Sequence, residues 1–260
     1  MAKAPVSGAV KSRLVPPLTR DEAAALNRCF IRDVCASIQG ASAMVMAQRK
    51  VSVSGLIAYT PAGTEPAFGG VAPASFEFIE QRGEELGARL NNVASDLLRV
   101  GFDSVALMNS DSPTIPSSIL ADAVASLARP SDRVAIIGAD DGGYCLIGLK
   151  RPHARIFQDI AWSTDAVFAQ TLERAGELGL EVARMPSWYD VDDAAALRRL
   201  VGELFSHQSS GEPTESPRSK ARSHSVITGS SAPATRAWLK DSLANGLAAR
   251  LGISGAEPVS

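Results

Sequence analysis

Ser104-Val105-Ala106-Leu107-Met108-Asn109-Ser110-Asp111-Ser112-Pro113 is the stretch whose reading decides the fold. Its first half is a short, nearly continuous apolar run; its second half is a polar loop closed by a proline. An apolar run without alternation belongs to a strand covered on both faces, which is how strands lie in parallel sheets flanked by helices. Ligands of such sheets bind beyond the carboxyl ends of the strands, so Asp111 stands where a site is to be sought. The same residue also suits a turn before Pro113, and the loop alone does not separate the two readings.

Outward from this stretch, strand and helix patterns alternate. On its N-terminal side, Gly83 to Val100 places Leu86, Leu90, Val93, Leu97 and Leu98 on one helical face. Gly55 to Tyr59 and Phe76 to Ile79 read as strands, and Thr19 with Glu22 forms a capping box ahead of Leu26, Cys29, Phe30, Val34 and Ile38. On its C-terminal side, Ile119 to Leu127 is helical, Arg133 to Ile137 and Tyr144 to Leu149 are extended, and Thr164 to Leu178 is a helix capped by Ser163 or Thr164. A strand at Val182 to Met185 and a helix at Asp193 to Leu204 complete the series. The alternation predicts an α/β fold with a mostly parallel central sheet and helices on both faces.

The predicted catalytic domain spans residues 1–204. Ser, Pro and Gly dominate 205–235, which predicts a disordered linker. Leu239, Leu243, Leu247 and Leu251 recur at helical spacing beside Trp238, predicting an amphipathic helix over 236–251 that Gly246 weakens. Residues 252–260 are expected to form a disordered tail.

At 260 residues and 45% hydrophobic content, the chain can bury one sizeable core. A formal charge of −2 supplies no basic field for nucleic acid or an anionic membrane surface, so small molecules are the expected partners. No segment offers the roughly 20 consecutive apolar residues of a membrane span. Cys29, Cys35 and Cys145 make no paired framework, which fits a reducing, cytoplasmic setting. Homo-oligomerisation is left open.

Further constellations carry possible chemistry. Asp140-Asp141-Gly142-Gly143-Tyr144 pairs acids with glycines that admit close backbone approach to a ligand, although Asp-Gly-Gly is also a good turn. Asp190-Val191-Asp192-Asp193 offers a second carboxylate to a metal beside Asp111, or a cap for the helix that follows. Lys3, Lys11 and Arg13 surround a loop that contains Gly8 and could hold phosphates, although taken alone it reads rather as a solvated basic terminus.

Taken in order, Lys-x-Pro-x-x-Gly-x-Val-Lys-x-Arg-Leu at 3–14, Leu-Gly-x-Arg-Leu at 86–90, Ser-Asp-Ser-Pro at 110–113, Asp-Asp-Gly-Gly-Tyr-x-Leu-Ile-Gly at 140–148, Trp-Ser-Thr at 162–164 and Asp-Val-Asp at 190–192 form one series. The series resembles the bacterial glycosyltransferase-A-like family of radical-SAM/selenodomain-associated transferases, whose relatives include 2-phospho-L-lactate guanylyltransferase and molybdenum-cofactor nucleotidyltransferases. That resemblance covers about residues 1–204. It implies a nucleotide-diphospho-sugar transferase, Rossmann-like fold that uses Mg²⁺ or Mn²⁺ and a nucleotide or sugar-nucleotide donor with a small-molecule acceptor. Asp111, Lys11 and Asp141 would then be catalytic, and Lys3, Gly8, Lys11, Arg13 and Arg89 would hold the nucleotide. Asp140, Gly142, Gly143, Tyr144, Ser163 and Thr164 would bind substrate, and Asp111 and Asp192 the metal. Related sequences carry an apolar strand before the Lys-x-Pro loop, so the N-terminal strand is expected to be missing.

The expected activity is glycosyl or nucleotidyl transfer. The single Asp111 in place of an Asp-x-Asp pair leans toward nucleotidyl transfer, whereas the family's naming leans toward glycosyl transfer. A non-catalytic nucleotide-binding scaffold is the alternative. A metal-dependent hydrolase ranks last, because the sequence offers no poised histidine base.

Overall fold

The computed structural model describes residues 1–205 and 228–253. Parallel strands β1 (Ala2–Lys3), β2 (Leu56–Thr60) and β3 (Glu77–Glu80) form one sheet in that order. The second sheet runs β4 (Val105–Met108), β6 (Tyr144–Leu149), β5 (Arg133–Ala139), β7 (Glu181–Trp188). Here β6 is antiparallel to both neighbours, while β5 and β7 are parallel. Strands β4, β5 and β7 therefore end on the same side, and β6 begins there.

Helices cover both faces. Along β5, Ala135 and Ile137 join Val34, Ala41 and Val45 of α1 (Arg20–Arg49) and Ile119, Leu120 and Leu127 of α3 (Ser117–Leu127). The alternate residues Val134 and Ile136 join Leu90, Val93 and Leu97 of α2 (Leu86–Arg99) and Ala175 of α4 (Val167–Glu177). Period-two alternation thus feeds both helical layers from one strand, which is why its sequence is apolar from Val134 onward.

The first strand is present as the two residues of β1, paired with Tyr59 and Thr60, which corrects the expectation that it is missing. The Met1 ammonium donates to Met108 O at 2.7 Å, so the two sheets meet edge to edge there. Beside this junction a cavity of ≈ 190 Å³ opens between β2 and β4, lined by Leu56, Ile57, Ala58, Val105 and Leu107 among others.

Thr19 and Glu22 form the expected capping box, with Glu22 N–H donating to Thr19 Oγ1 at 3.2 Å and Thr19 N–H to Glu22 Oε2 at 2.7 Å. The helix it starts runs beyond Ile38 to Arg49. Neither Ser163 nor Thr164 caps α4, whose preceding residue is Ala166 and has no side-chain cap bond.

Toward the C-terminus, α5 (Ala194–Phe205) is followed by residues 206–227, so that part of the predicted linker lies outside the described residues, as do 254–260 of the predicted tail. The next helix, α6 (Pro233–Ser242), starts three residues before the expected 236. Asn245 and Gly246 break the helical path, as the glycine forewarned, before α7 (Ala248–Leu251). Leu239, Leu247 and Leu251 sit in one core cluster with Leu26 and Phe30 of α1 and Leu197 and Leu200 of α5. This C-terminal segment therefore packs on the same body as the sheet.

Candidate active site

The loops that follow β4 and β7 are laced together. Asn109 Nδ2 donates to Asp190 Oδ1 at 2.8 Å, Ser112 Oγ donates to the same oxygen at 2.5 Å, and Val191 N–H donates to Asp111 O at 2.8 Å. Burial pushes the Asp190 carboxyl above its ordinary pKa and the Asp111 charge adds to that, against the opposing bonds from Ser112 and Asn109. Asp193 caps α5, its Oδ1 accepting the Ala196 N–H at 2.8 Å, which leaves Asp192 to face the Asp111 loop.

Lys11 reaches this junction from the loop after β1. Its backbone is left-handed, φ 50°, and its Nζ lies 2.7 Å from Asp111 Oδ1, 2.9 Å from Asp192 Oδ1 and 2.9 Å from Val191 O. The Lys11 side chain is 5% exposed, against 31% for Asp111 and 33% for Asp192. Phe30 lies beneath the ammonium, 5.3 Å from ring centroid to nitrogen. Burial alone would lower the lysine's pKa, but Asp111 and then Asp192 outweigh it and hold the group above its ordinary value. Arg13, mostly exposed, pairs with Asp192 Oδ2 at 2.5 Å.

Asp111 and Asp192 therefore converge on one cationic centre. No group of three or more His, Cys, Asp or Glu suited to a metal occurs among the described residues. Mg²⁺ often uses only one or two protein carboxylates and completes its shell with waters and substrate phosphates. The residues fit a metal bridged to substrate, not an all-protein cage.

The remaining predicted residues divide by duty. Lys3 is exposed, and Gly8 has φ +74°. Arg89 donates through Nε to Gly83 O at 2.8 Å and through Nη2 to Glu84 O at 3.1 Å, which ties down its own loop. Asp140 pairs with Arg199 at 2.6 Å, and that guanidinium stacks 3.8 Å over Tyr189. Asp141 Oδ1 accepts the Gly143 N–H at 2.9 Å, shaping the turn. Gly142 has φ +88°, and a Cβ there would stand 2.3 Å from Asp165 O. The Tyr144 hydroxyl is buried without a hydrogen-bond partner among the described residues, burial raises its pKa, and the ring meets Trp162 edge-on at 6.5 Å. Ser163, at φ 66°, and Thr164 are exposed; Thr164 Oγ1 donates to Ala161 O at 2.7 Å.

The structure thus brings Lys11, Arg13, Asp111 and Asp192 together and places the glycine turn at the same end of the sheet. Sequence reasoning did not assign Asn109, Ser112 and Asp190 as the frame of the site. Their signal was their position in the loops that follow β4 and β7.

A profile of the bacterial family described as "Uncharacterized protein conserved in bacteria (DUF2064)" matches residues 43–164, which include Asp111 and Asp140 to Tyr144 but not Lys11, Arg13 or Asp192. No curated protein matches the chain. A crystal structure from Desulfovibrio desulfuricans G20, named as a "putative nucleotide-diphospho-sugar transferase", overlays with a TM-score of 0.72 at 27% identity, across 96% of this chain and 95% of that one. A structure of CMP:2-keto-3-deoxy-manno-octonic acid synthetase with CTP overlays only at a TM-score of 0.41 and 14% identity, across 66% of this chain and 88% of that one. Over its described residues, the chain has the mixed α/β fold of the structure named as a "putative nucleotide-diphospho-sugar transferase".

Proposed function

We propose that the protein is a divalent-metal-assisted transferase that takes a nucleotide-activated donor, either a sugar nucleotide or a nucleoside triphosphate, and passes a glycosyl or nucleotidyl group to a small acceptor. The observation that carries this reading is the convergence of Asp111 and Asp192 on the Lys11 ammonium, with Arg13 beside it, beyond the carboxyl end of β4. Such an array matches a diphosphate: carboxylates for the metal, a buried point charge and an exposed guanidinium for the phosphoryl oxygens. Likeness in fold to a structure named as a "putative nucleotide-diphospho-sugar transferase" supports the same reading.

Bound Mg²⁺ or Mn²⁺ would supply charge neutralisation at the diphosphate, held by Asp111 and Asp192. Lys11 and Arg13 would stabilise the negative charge that grows on the departing phosphate oxygens. The Asp190 carboxylate fixes Asn109 and Ser112, and so sets where Asp111 points. The Asp140–Tyr144 turn, rigid through Gly142 and Asp141, would form the acceptor wall. Lys3 and Gly8 are proposed to meet the donor at the loop's outer edge, and Ser163 and Thr164 the acceptor. A reducing cytoplasmic location, without nucleic-acid partners, is proposed with this activity. No helix among the described residues is long and apolar enough to cross a membrane.

A thermal-shift panel of nucleoside triphosphates and sugar nucleotides, each with and without Mg²⁺, tests the proposal. A true donor at a hundred times its dissociation constant adds about 2.7 kcal/mol of stability. Stabilisation by triphosphates alone would assign nucleotidyl transfer, and stabilisation by sugar nucleotides would assign glycosyl transfer. Failure of both classes to shift the transition would overturn the reading.

A further inference from the structure

Lys11 is more buried than either carboxylate it joins, and its ammonium is held by the two carboxylates assigned to the metal and by Val191 O. Two aspartates face one lysine and one arginine, so the formal charge of the four groups balances within the protein itself. A divalent ion entering beside the ammonium would meet a like charge at contact distance, with the low-dielectric floor of Phe30 beneath it. Unlike the exposed Arg13, Lys11 has little water to retreat into unless another anion accepts it.

We propose that Lys11 is a resident cation competing with the divalent metal for Asp111 and Asp192, and that a diphosphate admits the metal by drawing the ammonium onto its own oxygens. Metal and diphosphate then bind with positive coupling, and Lys11 is the element that couples them. The inference rests on the proposed metal-diphosphate site but not on the donor's base or sugar. By linkage, the diphosphate tightens the metal by the same factor as the metal tightens the diphosphate. The exchange breaks no covalent bond: ion pairs from Lys11 to two carboxylates are replaced by ion pairs to phosphoryl oxygens.

The test is titration of the full chain with Mn²⁺, followed by electron paramagnetic resonance, with and without inorganic pyrophosphate. Free pyrophosphate also binds Mn²⁺, so its own affinity is measured in parallel and subtracted. In the unmodified protein, pyrophosphate should tighten Mn²⁺ by about tenfold or more, a coupling of ordinary size for linked sites. Lys11→Met keeps the apolar stem above Phe30 and removes the charge. It should bind Mn²⁺ about tenfold more tightly without pyrophosphate and lose most of the coupling, whereas Arg13→Met should retain it.

Equal Mn²⁺ affinity of the unmodified protein with and without pyrophosphate would overturn the proposal. That outcome overturns the exchange even if Lys11→Met fails to fold, whereas coupling in the unmodified protein supports it only together with the contrast between Lys11→Met and Arg13→Met. The two readings also fail separately. Tight nucleotide–Mg²⁺ binding with uncoupled Mn²⁺ would sink the exchange and leave the transferase reading standing. Coupled Mn²⁺ and pyrophosphate with no response to any nucleotide would do the reverse.

Discussion

At the scale of single residues, the site was legible where chemistry alone constrains a side chain and illegible where the fold decides which backbone groups lie nearby. Lys11, Asp111 and Asp192 come from three separate stretches, and the sequence singled out each one, the lysine for phosphate and the aspartates for a metal, but not the ion pairs that join them. Asp141 and Arg89 are as polar as those three, but local amides and carbonyls occupy them, and no spacing rule announces which carbonyl will be within reach. Gly142 provides a direct check on the turn. Its φ of +88° and a Cβ position 2.3 Å from Asp165 O leave an alanine nowhere to go without moving backbone. Gly142→Ala should cost about 1–3 kcal/mol, read as a lower urea midpoint at unchanged m-value. By contrast, Asp192→Asn should spare the cap of α5, which Asp193 supplies, and lower the midpoint only through the buried Lys11 ammonium that it leaves to Asp111, while Mn²⁺ binding with pyrophosphate falls by about tenfold or more. Loss of α5 helicity in that variant would show the cap assignment to be wrong.

At the scale of elements, the periodicity of leucines located the C-terminal helix but not what holds it. Asp33 does so from inside α1: its two carboxylate oxygens accept the N–H groups of Ala234 at 3.0 Å and Thr235 at 2.7 Å, at the start of α6. Burial raises the Asp33 pKa, and the bonds from Thr235 and Ala234 oppose the rise. An acid in the middle of a helix gives no sequence hint that it will cap another helix two hundred residues away. Asp33→Ala would strand two amides at a buried helix start and should cost about 2–3 kcal/mol in denaturant unfolding. The far end of the segment is tied by Arg250, 2.6 Å from Glu22, whose carboxyl is held down to about 2 chiefly by that guanidinium. A carboxylate with a depressed folded pKa contributes stability above its unfolded value and loses it as pH falls, here from about 4.5 toward 2. The pair is substantially solvated, so the contribution is at most about 1 kcal/mol. Glu22→Gln keeps the capping-box geometry and removes the charge, and should flatten the acid limb of a stability–pH curve over that range. An unchanged limb would locate the acid sensitivity elsewhere.

At the scale of the whole molecule, the order of strands and helices followed from the patterns around Ser104 to Pro113, but the seam between the two sheets did not. A sequence pattern cannot show how far two neighbouring strands run past a third. Here β1 pairs only at Tyr59 and Thr60, while Leu56–Ala58 of β2 and Val105–Leu107 of β4 continue alongside the ≈ 190 Å³ cavity. At its mouth the Met1 ammonium is buried and bonded to Met108 O, and burial lowers its pKa to about 6, with Asp111 pulling the other way. A base whose folded pKa lies below its unfolded value binds more protons when unfolded, so stability should rise between about pH 6 and pH 8. Two pKa units correspond to about 2–3 kcal/mol. Fusing a short Val- and Ile-rich segment to Met1 would convert the ammonium to an amide and give both open edges a partner with side chains for the cavity. That variant should melt several degrees above one extended by Gly and Ser, since about 1 kcal/mol moves a domain of this size by roughly 2–4 °C. Its stability should also lose the slope between pH 6 and 8. If both extensions melt together, the seam does not accept a strand. If the slope persists in both, the Met1 ammonium is not its source.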